Sequence, residues 1–193
     1  METNAQRHPV LRASHWLYAK SPYAIDVNPW VPCEDAEAAL LLRGAIVSAY
    51  ASVETRLAEL SLRIARMDAY SKLRDSYPHA VGKRLAFLRR AFGTPPLHQF
   101  ESIALSFFKR FEEAADLRHF MAHSRMEMVG DSTGWGITFH DYRGVKDGVT
   151  YRHHRITLPN LERHARRSVR LSRLAQRLIA RLNEAALLPP TEM

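Results

Sequence analysis

Ile46, Tyr50, Val53, Leu57, Leu60, Ile64 and Met67 follow one another at alternating steps of four and three. At about 100° per residue that spacing lines one face of a helix, so it predicts a long helix over about Glu34–Asp68 with a single buried stripe. Glu34, Asp35 and Glu37 at its start complement the positive end of the helix dipole. A second helix is expected over His79–Phe92, opened by Tyr77-Pro78 and stopped by Gly93 and Pro95-Pro96. A third is expected over Leu97–His123, and a fourth from after Pro159 to about Leu187, ahead of Pro189-Pro190.

Between the third and fourth helices the pattern changes. Met126–Val129, Gly136–Tyr142 and Val149–Leu158 are short β-compatible runs separated by glycines, and the last two read as a hairpin. The expected fold is therefore mainly α, a four-helix bundle with a small β-hairpin insertion (about 126–158) before the last helix. The expected divisions are an N-terminal arm over 1–33, a helical domain over 34–187 and a tail over 188–193. In the arm, Trp16, Tyr18, Tyr23 and Trp30 alternate with Pro9, Pro22, Pro29 and Pro32, which predicts an extended strap that packs on the domain or on a partner subunit.

The chain is 46% apolar, enough to bury a core. Its apolar residues are dispersed, with no run expected to reach the roughly 18 residues of a membrane span, and the first residues lack the pattern of a secretory signal. Cys33 is the sole cysteine, so an internal disulfide and a zinc–thiolate cluster are both ruled out, and a cytoplasmic protein without metal or cofactor is expected. The formal net charge is +8, and 23 of the 28 basic residues are arginine. Arginine suits phosphate because its guanidinium is a planar fork of donors. General surface charge in a GC-rich organism accounts for the same composition.

On a continuous third helix, Phe100, Ile103, Ala104, Phe107, Phe111 and Ala114 share a face, and Arg118 points the same way. A buried guanidinium needs a partner, a pocket mouth or an exposed helix end. His119 and His123 are neighbours one turn apart, whereas His123 lies about 140° around the helix from Arg118. A joint Arg–His site then calls for the reach of the arginine, a distorted last turn or a second copy of the helix.

The string Leu117-Arg118-His119-Phe120-Met121-Ala122-His123-Ser124 resembles the R-x4–6-H motif of HEPN (higher eukaryotes and prokaryotes nucleotide-binding) domains. The bare pattern is expected about once by chance in a chain of this composition, and it recurs at Arg74–His79, in an interhelical loop with Pro78 directly before the histidine. The helix-end setting, the polar His119 after Arg118 and the four-helix layout single out the first instance. Glu54, in Ser52-Val53-Glu54-Thr55-Arg56-Leu57, resembles an acidic position on an early helix of that family.

The resemblance implies a metal-independent endoribonuclease, acting as a homodimer in toxin–antitoxin or phage-defence biology, with RNA and an antitoxin protein as partners. In that reading His123 is general base or acid, Arg118 clamps phosphate, His119 supports and Glu54 orients. The residue types fit the chemistry. Histidine, near pKa 6.5, exchanges protons at neutral pH, and arginine is a permanent cation for a phosphorane-like transition state. Two other readings stand beside it: a non-catalytic RNA- or nucleotide-binding or scaffolding module, and a structural Arg118–Glu54 ion pair with dipole-favoured histidines.

On the last helix Arg166, Arg170, Arg173, Arg177 and Arg181 form one stripe, with Arg163 and Arg167 nearby. It reads either as an RNA-tracking face or as a solvated helix surface. His140, His153 and His154 fall on the hairpin and, with the i, i+4 pair His119–His123, suggest zinc, but Phe120 follows His119 where a helical zinc pair usually has an acid. Tyr142, Tyr151, Arg152 and Arg155 there suit stacking and charge on RNA.

Overall fold

The computed structural model describes residues 26–27, 31–73, 79–131, 134–145 and 148–190. Their elements are β1 (Asp26–Val27), α1 (Cys33–Ala65), α2 (Val81–Phe92), α3 (Glu101–Glu113), α4 (Ala115–His123), β2 (Arg125–Asp131), β3 (Gly134–Val145), β4 (Gly148–Ile156) and α5 (Leu158–Glu184). Short 3-10 turns cover Asp68–Leu73 and Leu97–Phe100. The chain divides into two units, residues 1–47 with 116–166, and residues 48–115 with 167–193. Most of the expected arm over 1–33 lies outside the described residues, as do Arg74 and Asp147.

The second unit is helical. The expected stripe of α1 is buried there at Tyr50, Val53, Leu57, Leu60 and Ile64, and it meets Phe87, Leu88 and Phe92 of α2, Phe107, Phe108 and Phe111 of α3, and Leu171, Leu178 and Leu182 of α5 in one core. Aromatic rings carry much of that core: Tyr50 and Phe111 lie 6.3 Å apart, and Phe92 meets Phe108 edge-on at 5.9 Å. Arg63, buried near the end of α1, donates to the Pro189 carbonyl at 2.8 Å and to Asn183 Oδ1 at 2.6 Å. Pro189, in the expected tail, is thereby tied to the core.

The expected third helix is not continuous. It opens with a 3-10 turn, runs as α3 to Glu113, breaks at Ala114 (φ −94°, ψ 3°) and restarts as α4. The apolar steps of three and four stop at Phe111, and the next large buried side chain is Phe120. No stripe spans the residues between, so the chain re-aims to bury Phe120 and Met121 in the other unit. Ile103, expected on the buried face, is 46% exposed. The break removes the premise that Arg118 shares the face of the phenylalanines, and the helix bearing the motif belongs to the unit that holds the sheet.

In that first unit three antiparallel strands, β2-β3-β4, carry the two-residue β1 in parallel on the β2 edge. The expected hairpin is present: Tyr142 pairs with Tyr151 and His140 with His153. Met126, Met128, Ile137, Phe139 and Ile156 are buried on one face of the sheet, with Phe120 and Met121 of α4 and Ala36, Ala39 and Ile46 of α1 also buried in this unit. Gly130 is required where it pairs with Trp135, because a Cβ at Gly130 would stand 2.6 Å from the Trp135 Cβ.

α1 corrects one expectation. It is long and apolar enough to cross a membrane, and a third of its most apolar window is buried. Arg43 falls within its apolar first half, one turn from Ala39 and from Ile46. Its Nε donates to the Met121 carbonyl at 2.8 Å and its Nη2 to the Ser124 carbonyl at 2.8 Å. The guanidinium also sits 5.7 Å from the centre of the Phe139 ring. Burial lowers its pKa from the usual guanidinium value. These bonds satisfy carbonyls left open where α4 ends, and they set the turn into β2. Arg43→Met keeps the bulk and removes the donors, so we expect it to cost about 2–3 kcal/mol of stability in urea unfolding; an unchanged midpoint would show that the turn does not rely on this clamp.

Candidate active site

The strand register creates the site. β2 begins at Arg125, opposite His140, while β3 continues through Asp141–Val145 paired only with β4. Beyond Arg125 the β2 side of β3 is open, and the end of α4 delivers His123 to that corner through Ser124. The resulting cleft, about 340 Å³, is lined by His123, Arg125, His140, Asp141 and Tyr142.

Two hydrogen-bonded groups of side chains reach it. In the first, the buried Asp141 carboxylate accepts from Arg143 Nε at 3.0 Å and pairs with His119 Nε2 at 3.0 Å. The His119 ring lies 5.0 Å from the His123 ring. Burial pushes the Asp141 carboxyl up, but the Arg143 hydrogen bond and the charge and hydrogen bond of His119 outweigh it and hold the group below the usual carboxylate range. Arg143 and Arg152 also approach Asp116, at 3.5 and 3.7 Å, which ties the first turn of α4 to the hairpin.

The second group is centred on His140. Its Nε2 is 2.8 Å from Glu127 Oε2 and its Nδ1 is 2.5 Å from the Tyr151 hydroxyl. Glu127 is acceptor-only as a carboxylate, so Nε2 carries a proton and donates to it. Nδ1 then accepts from Tyr151 in the neutral ring, or donates to it in the imidazolium. His123 by contrast is exposed, with the His119 ring beside it.

The sequence-predicted residues separate accordingly. The His119 and His123 rings lie side by side, and His123 lines the cleft. Arg118 is half-buried on α4, and the helical stretch between it and His123 keeps the two about 140° apart. Arg125, which sequence reasoning passed over, is the arginine that lines the cleft with His123. Glu54 is half-buried on the part of α1 that belongs to the second unit. Arg166, Arg170, Arg173, Arg177 and Arg181 are all exposed along α5, and Arg166 is bonded to Glu162 at 2.6 Å. Arg152 turns to the α4 side, with its guanidinium 4.6 Å from the centre of the Phe120 ring. Among the described residues no three His, Cys, Asp or Glu side chains are grouped as metal ligands.

His140 was assigned by sequence to the hairpin but not to the site. No signal along the chain marks it: Glu127 and Tyr151 flank it only through strand pairing, which spacing does not reveal. Comparisons with family models, curated proteins and solved structures find no match to this chain.

Asp141 has a measurable pH signature. A carboxyl held below its unfolded value, near 3.9, stabilises the fold above that value and loses the contribution as pH falls through the folded value. We expect Asp141→Asn to unfold at lower urea than the parent near neutral pH, with the gap closing as pH drops below about 4. A gap that persists unchanged into strong acid would contradict the assignment.

Proposed function

We propose that the chain is a metal-independent endoribonuclease that cleaves RNA by attack of its own 2′-hydroxyl. The observation that carries this reading is that His123 and His140, from different elements, line one cleft together with Arg125. Cleavage of this kind needs one group to take a proton, a second to give one, and a fixed cation. The cleft offers all three within one chain.

In this mechanism the exposed His123 removes the 2′-hydroxyl proton. The freed oxygen attacks phosphorus, forming the new P–O2′ bond as the P–O5′ bond breaks. The His140 imidazolium, held by Glu127, passes its Nδ1 proton to Tyr151 as the Tyr151 hydroxyl protonates the leaving 5′-oxygen. Arg125 holds the phosphate oxygens, whose added charge a guanidinium meets with paired donors. Asp141 fixes His119, which positions His123. The products are a 2′,3′-cyclic phosphate and a 5′-hydroxyl, and exchange with water resets both histidines.

The motif Arg118–His123 adds its resemblance to HEPN nucleases, and with it a role in toxin–antitoxin or phage-defence biology, a cytoplasmic setting, an antitoxin partner and a homodimer. Arg118 then serves the site from a second copy or acts in the fold. The exposed arginines of α5 supply salt-sensitive attraction to RNA.

Purified protein incubated with RNA in EDTA should yield cyclic-phosphate ends, with a bell-shaped pH–rate profile because one imidazole must be neutral while the other is charged. His123→Ala and His140→Ala should each lower the rate about 100-fold or more, and Arg125→Ala by a comparable factor. RNA binding without cleavage would favour the non-catalytic module. Cleavage that survives both histidine substitutions would place the activity elsewhere.

A further inference from the structure

The outward face of the sheet, away from Phe139 and Met126, carries a row of rings. Tyr142 and Tyr151 are a cross-strand pair with centroids 5.1 Å apart. Tyr151 lies near-parallel to His140 (6.0 Å, 22°) and to His153 (5.9 Å, 27°). The tyrosines are not covered: Tyr142 is 72% exposed and Tyr151 47%, and Val149, two residues before Tyr151 on the same face, is also exposed. Large apolar side chains grouped in the open mark a binding surface rather than a solvated one.

The charge around the row selects the partner. Arg125 and Arg155 are exposed on the same face, and the Arg155 side chain crosses Gly136, its Nε 3.0 Å from where a Cβ would stand. A side chain at Gly136 would lift that guanidinium off the sheet. Glu127, an acid on this face, is engaged by His140. Flat rings flanked by guanidinium groups suit a polyanion that also presents planar π faces.

We propose that this face is a stacking platform for unpaired nucleotides, and that it presents single-stranded RNA to the cleft. The substrate assignment rests on the nuclease reading; the platform itself does not. His140 and Tyr142 belong to both surfaces, so a base seated on Tyr142 has its phosphate at the cleft mouth. Bases inside a duplex have both faces occupied by their neighbours, so the platform accepts only bases that are already splayed or single-stranded. An open aromatic row has no means of reading base edges, and selectivity among sequences is accordingly weak at this surface.

The test uses a short fluorescein-labelled oligodeoxyribonucleotide, which lacks the 2′-hydroxyl and is not cut, with binding to the full chain followed by anisotropy. Single strands should bind more tightly than duplex of the same length. Tyr142→Ala combined with Tyr151→Ala should weaken single-strand binding at least about five-fold, while Tyr142→Phe, which keeps the ring, should bind as the parent does. Thermal unfolding of each variant checks that these exposed positions leave the fold intact. Unchanged binding in the double alanine variant, or equal loss with phenylalanine, would overturn the platform. So would a shift in sedimentation from dimer to monomer with binding unaltered, since that would make the face an interface between copies of this chain. Loss of binding in a protein that never cuts RNA would leave the platform standing and remove the nuclease. RNA cleavage by the parent chain that binds single strands and duplex alike would do the reverse.

Discussion

Two hydrogen bonds from Arg43 hold the corner on which the candidate site depends. They end on the carbonyls of Met121 and Ser124, where α4 stops and β2 begins, and they reach that corner from inside the apolar half of α1. A guanidinium in such a place is costly unless its donors are met, and backbone carbonyls at a helix end need donors. Each need answers the other. The result is a turn in which His123 leaves the helix one residue before Ser124, and Arg125 starts the strand one residue after it, on the two sides of a cleft.

The sheet supplies the rest through its register. Because β2 starts opposite His140 while β3 runs on, the corner is left open, and the alternation of β3 sends His140 and Tyr142 to one face and Asp141 to the other. Two carboxylates then do different work on two imidazoles. Asp141 is buried and fixes His119 behind His123, whereas Glu127 fixes His140 from the outward face. Acid and base roles need two groups with different surroundings, and the exposed His123 and the Glu127-bonded His140 have them. In this account a single chain supplies both proton-transfer groups, so symmetry is not needed to complete the acid–base pair, although Arg118 retains a place in a two-chain arrangement.

Much of the scaffold was legible in the residues. The stripe from Ile46 to Ile64 is regular enough to specify its helix, and the Pro and Gly residues around α2 and α5 mark those ends to within a few positions. The hairpin followed from short β-rich runs between glycines. The break at Ala114 was not legible, because Glu112, Glu113, Ala114 and Ala115 are compatible with helix, and what ends α3 is the absence of an apolar residue to bury after Phe111. Arg43 did leave a trace, as a cation between Ala39 and Ile46 on a buried face, which demands a partner. Glu127, His140 and Tyr151 left none: they are far apart in the chain and meet only through a register set by strand pairing. Among the proposed site residues, the His119 and His123 rings lie together, and the arginine that lines the cleft with His123 is Arg125.

The central claim is that His123 and His140 face one anion. Histidine side-chain NMR resonances, followed while inorganic phosphate is added to the intact chain, test it directly. The account predicts that the His123 and His140 signals move together with one shared dissociation constant, while those of the exposed His79 and His98 in the other unit stay in place. Shifts in only one of the pair, or in all the histidines alike, would contradict it.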